Sequence, residues 1–150
     1  MRHRSRHIGA LILAAGAPLL ASATPVSEGS LSITVTGLRS TKGQVLACAM
    51  RDARAFPDCA HDPQAHKLAV PASSSVVLDF GRLEPGRYAV SLLHDENGNG
   101  KADMVLMMPR EGFGFSRDAA VRFGPPRFDK AAFDVAAADL HQTIRMRYMF

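Results

Sequence analysis

From residue 30 onward, apolar and polar positions alternate in short runs separated by turn residues. In "SLSITVTGL", residues 30–38, Leu31, Ile33 and Val35 alternate with Ser and Thr, the period-two signature of a half-buried strand. "GQVLACAM", residues 43–50, is apolar on both faces, as a central strand would be. Residues 51–71 are polar, contain Pro57 and Pro63, and read as a loop. "SSVVLDF" (74–80) and "GRYAVSLLHD" (86–95) give a third and a fourth strand, with Pro85 and Gly86 as the turn between them. "MVLMM" (104–108) is a short fifth strand, and residues 109–128 form an ordered Gly/Pro/aromatic loop. "AAFDV" and "HQTIRMRYMF" close the chain, with Tyr148 and Phe150 expected inside. Helical periodicity is confined to one turn at residues 129–133. About seven strands at this spacing predict an all-β fold, a single antiparallel β-sandwich.

The N-terminus changes the picture of charge and location. Arg2, Arg4 and Arg6 precede an apolar run from Ile8 to Leu20, and Ala21-Ser22-Ala23 supplies small residues for cleavage. That is the anatomy of a signal peptide, too short and too interrupted for a membrane span. The expectation is a leader over 1–23 and one mature domain over 24–150, periplasmic or secreted, with no transmembrane segment. The leader holds three of the 18 basic residues and none of the 14 acids, which leaves the mature chain near +1. No basic patch with interleaved aromatics remains, so nucleic acid is not an expected partner. Cys48 and Cys59 are the only cysteines, and in an exported chain they predict one disulfide.

Candidate chemistry concentrates in "HDENGNGKAD", residues 94–103. Oxygen-bearing side chains recur at Asp95, Asn97, Asn99 and Asp103, with Gly100 in the sixth place and the Lys101 carbonyl in the seventh. This follows the first nine positions of a calcium loop, while Leu106 in the twelfth place excludes an EF-hand proper. A distant acid, Glu111, would complete the shell. The competing reading is a metal-free turn, for which Asn-Gly is a strong signal, although a plain hairpin would set like charges opposite one another. His94 reads as a strand-end histidine bonded to backbone, or as a ligand or base. Met104, Met107 and Met108 read as core filler, or with His94 as a soft-metal site. Phe113 and Phe115 in "EGFGF" either plug the core or offer a surface to a glycan or partner. No nucleophile elbow occurs, and Ser116 has no His or acid tied to it by sequence.

The order "LEPGRYAVSLLHDENGNGKAD … PREGFGFS … GPPRFDKAAFDV" resembles domain of unknown function 2141, a family of small exported bacterial proteins. The chain departs from the family pattern where Met104 and Val105 follow Asp103, and again at Met107. The resemblance implies an immunoglobulin-like or transthyretin-like sandwich and supplies no activity. The reading that follows is a non-catalytic envelope module with a structural calcium loop, whose partner is an envelope protein, a glycan or a small ligand. A hydrolase-like enzyme using His94, Asp95 and Glu111, and a soft-metal binder, are the alternatives.

Overall fold

The computed structural model describes residues 28–150, so the expected leader lies outside the described residues. The fold is mostly β. The strands are β1 (Gly29–Thr36), β2 (Gln44–Met50), β3 (His66–Pro71), β4 (Val76–Leu83), β5 (Gly86–Asp95), β6 (Met104–Val105), β7 (Met108–Pro109), β8 (Gly112–Phe115), β9 (Phe133–Val135) and β10 (Leu140–Arg145). A 3₁₀ turn, Ser116–Asp118, and one short helix, α1 (Phe128–Ala131), complete the elements.

Alternation along the strands decides which residues meet. One sheet has the order β10-β1-β4, and a five-stranded sheet has the order β3-β2-β5-β8, with β9 on the same edge of β5 as β8. Neither closes on itself. Leu31, Ile33 and Val35 of β1, Leu78 of β4 and Ile144 of β10 share one core with Val45, Tyr88, Val90 and Leu92 from the other sheet. Each such side chain contributes about 1.5–3 kcal/mol by leaving water. The chain passes from one sheet to the other between β4 and β5, and there the Tyr88 hydroxyl donates to the Glu84 carbonyl at 3.0 Å. Gly86 opens β5 with Arg51 guanidinium atoms 3.0 Å from where a Cβ would stand, and its φ is not positive. The Pro85-Gly86 turn therefore forms without a left-handed residue.

Several expectations are corrected. His66–Pro71 is a strand where a loop was expected; it is an outer strand paired only with β2, so only Leu68 and Val70 among its apolar side chains turn toward the core. The "GFGF" segment is β8, antiparallel to β5. Its Phe side chains take one face, while Gly112 lies against the Tyr148 ring and Gly114 against Ile144. Glycine here makes room for the C-terminal segment. "MVLMM" is not one strand but a two-residue-per-arm hairpin, β6 with β7. β10 runs parallel to β1, against the expected all-antiparallel pairing. The two are joined by nearly the whole chain, so no hairpin constrains their direction. Ten strands replace about seven. Tyr148 is half-buried as a packing partner, but Phe150 is exposed.

Cys48 and Cys59 are disulfide-bonded, which ties the segment after β2 back to that strand. No helix among the described residues is long and apolar enough to cross a membrane.

Gly114→Ala would bring a methyl group within 2.8 Å of Ile144 Cγ2. The expected loss is about 1–3 kcal/mol, read from the midpoint of a urea unfolding curve.

Candidate functional site

The acidic loop begins where β5 ends, and strand alternation splits its first two residues. His94 turns to the inner face. It is fully buried, with Nε2 2.9 Å from the Lys42 carbonyl and Nδ1 2.7 Å from the Tyr148 hydroxyl. A carbonyl only accepts, which places a proton on Nε2. The Tyr148 oxygen in turn accepts the Arg39 N–H at 3.1 Å. Both ring nitrogens therefore hold neighbouring segments together.

Asp95 turns to the other face and is also fully buried. Its carboxylate accepts hydrogen bonds from the Gln44 side-chain amide (2.9 Å), the Gly100 N–H (2.8 Å) and the Asn99 N–H (3.1 Å). Burial alone would raise its pKa; the Gln44 amide and the backbone donors outweigh this and hold it below the ordinary aspartate value. Gly98 and Gly100 have φ of +72° and +74°, so each Asn-Gly pair supplies one left-handed residue to the winding. The second pair is thus not redundant.

Asp103 lies between the two asparagines, accepting from Asn97 Nδ2 at 2.6 Å and Asn99 Nδ2 at 3.0 Å. The amide oxygens face back into the loop, Asn97 Oδ1 accepting the Asn99 N–H and Asn99 Oδ1 the Lys101 N–H. Glu111, nearly fully buried, accepts the Glu96 N–H (3.1 Å) and the Asp103 N–H (3.2 Å). Its pKa is raised, chiefly by burial, with the Asp95 and Asp103 charges adding to the effect. The structure therefore gathers Asp95, Asn97, Asn99 and Asp103 into one loop, sets Glu111 against its backbone, and leaves His94 on the opposite face. Among the described residues no three His, Cys, Asp or Glu side chains are placed to share a metal ion. A cation here would depend on asparagine and carbonyl oxygens as well.

Sequence reasoning missed Arg39. Its guanidinium bonds Glu96 through Nε at 3.0 Å, reaches the Phe150 and Arg110 carbonyls at 2.8 and 3.2 Å, and stacks 4.5 Å from the Tyr148 ring centre. No local pattern pairs residues 57 positions apart. Arg39, Glu96, Asn97, Asp103, Arg110 and Glu111 line a polar cavity of about 270 Å³, which His94 does not reach.

A larger cavity was also invisible in the sequence. It is an apolar groove of about 790 Å³ on the outer face of the five-stranded sheet, floored by Leu46, Ala69, Leu93, Phe113 and Phe115. The disulfide loop borders it at Pro57 and Cys59, and the acidic loop at Gly100, Lys101 and Ala102. Phe113 and Phe115 are buried beside Phe56 and Phe128, as the plug reading expects, and both also line the groove. Met104, Met107 and Met108 are exposed, which corrects their reading as core filler. His94, walled into the inner face, does not join them.

These features define an open β-rich scaffold with one structured acidic loop. Residues 33–143 match the family model "Uncharacterized protein conserved in bacteria (DUF2141)", and the chain belongs to that family. No curated protein and no solved structure matches the chain.

The hydrogen bonds from Arg39, then that from Ser40, bring the Glu96 pKa from the ordinary 4.5 down to about 2. A depressed carboxyl pKa stabilises fully above 4.5 and loses its contribution as pH falls toward 2. Arg39 is about one-third exposed, so solvent screening limits the pair to roughly 1–3 kcal/mol. Glu96→Gln should lower stability at pH 7 and flatten the acid limb between pH 4.5 and 2, measured by unfolding at stepped pH.

Proposed function

We propose that this chain is an exported, non-catalytic binding module of the cell envelope. In this reading it is an immunoglobulin-like or transthyretin-like sandwich, its acidic loop is closed by a structural calcium ion, and its ligand lies in the apolar groove. One observation carries the reading: Gly100, Lys101 and Ala102 belong both to the acidic loop and to the wall of the groove. Order in the loop is therefore order in the groove.

Other features support it. The groove's volume falls within the range of about 300–1,000 Å³ common for small-ligand sites. Two sheets sharing one core, and the Tyr88 hydroxyl bonded back to the Glu84 carbonyl at the crossing, suit a Greek-key sandwich of the immunoglobulin kind. The leader and the disulfide suit an oxidising compartment. His94, Asp95 and Glu111 spend their polar atoms on backbone and side-chain partners, which favours scaffolding over hydrolysis. Calcium would take the place of the Asn97 and Asn99 amide hydrogens beside Asp103. A rotation of each amide presents oxygen instead, at an affinity of about 10⁻⁴ to 10⁻³ M.

At calcium tenfold over its Kd, thermal unfolding should shift upward by the equivalent of about 1.4 kcal/mol. Chelator should reverse the shift and Asp103→Asn should remove it. A melting curve indifferent to both leaves the loop a metal-free turn. In parallel, an environment-sensitive apolar dye should brighten on binding the chain and lose that response in Leu93→Glu; an unchanged response would rule out the groove.

A further inference from the structure

The β6–β7 hairpin is built against its own conformational preference. Its two-residue turn, Leu106 and Met107, has φ of +49° and +66°. Two positive φ values at a hairpin turn ordinarily select Asn-Gly, because a Cβ crowds the backbone in the left-handed region. This chain places glycine at φ +72° and +74° just upstream, yet here it carries two large apolar side chains. Nothing packs over them. Leu106 is 85% and Met107 92% exposed, and with Met104, Val105 and Met108 they make five consecutive exposed apolar residues. A run of that kind in water marks a contact made elsewhere.

We infer that this hairpin tip inserts into the surface of an anionic lipid bilayer. The tip is convex and built of flexible aliphatic and thioether chains, which suit a fluid apolar phase and need no shaped pocket. Exposed Lys101 and Arg110 flank it in sequence, and cations beside an apolar tip attract lipid phosphates. The acids closest in sequence do not oppose them strongly: Asp103 is bonded by Asn97 and Asn99, and Glu111 is buried. A second exposed apolar residue, Phe123, follows Arg122 in a loop whose Val121 and Pro125 border the same groove as Ala102 and Pro109. The two apolar points, each next to a cation in sequence, thus belong to segments that border one groove.

The chain contains no tryptophan, so Leu106→Trp reports from the tip alone, whatever else the chain does. Its emission should shift to the blue with phosphatidylglycerol-containing vesicles and be quenched by brominated acyl chains. Pure phosphatidylcholine should give a several-fold weaker response, and added salt should weaken the anionic one. Val77→Trp, at an exposed position on β4, should not respond. The double change Leu106→Asn with Met107→Gly should raise the melting temperature, because the turn is relieved, and should lower the vesicle-dependent signal of a tip-adjacent Val105→Trp by about tenfold or more. Emission from Leu106→Trp that ignores anionic vesicles overturns the proposal. So does an equal response at Val77→Trp, or a blue shift that grows with protein concentration in the absence of lipid, which would make the tip a contact between copies.

Discussion

A carboxylate removed from water must find hydrogen-bond donors, and Asp95 meets that requirement by winding the chain around itself. Its position is fixed by strand alternation at the end of β5, where it has no exposed surface. Left unpaired, a buried charge of this kind costs several kcal/mol. The Gly100 and Asn99 N–H groups and the Gln44 amide prevent that, and reaching them forces the reversal that Gly98 and Gly100 permit. Glu111 repeats the device from the other end of the segment, bonding Glu96 and Asp103. The two carboxylates differ in outcome. Asp95 has enough donors to stay a strong acid, whereas burial and neighbouring charge make Glu111 a weaker one.

The same alternation separates structural chemistry from surface chemistry. On the inner face of β5, Tyr88, Val90, Leu92 and His94 serve the core and its polar fastening to Tyr148 and Lys42. On the outer face, Ser91 and Leu93 line the groove, and Ala89 joins the second apolar cluster with Phe113 and Phe115. A histidine, an aspartate and a glutamate that read as neighbours in sequence or loop are thus divided between two faces. That division arises from the two-residue period of a strand.

How legible the site was depends on whether its signal is local. The winding of residues 95–103 is local: tandem Asn-Gly pairs and alternating oxygens announced a structured loop, and the structure uses both pairs. Arg39 and Tyr148 gave no such signal, since their partners lie 57 and 54 residues away. The groove was hidden for a related reason. Leu46, Ala69 and Leu93 sit on three separate strands, and only pairing β3 to β2 and β2 to β5 sets them side by side.

The amino-acid sequence alone determined the strongly patterned strands β1, β2, β4 and β5, the sole possible disulfide, and the reversal after β5. Each follows from residues within a few positions of one another, or from a count with one solution. Tertiary structure alone decided that "GFGF" pairs with β5, that β3 adds an edge, and that β10 lies parallel to β1. It also decided that residues 104–108 are left facing solvent. Pairing partners and directions depend on which surfaces the assembled core leaves open, and apolar periodicity carries no record of that.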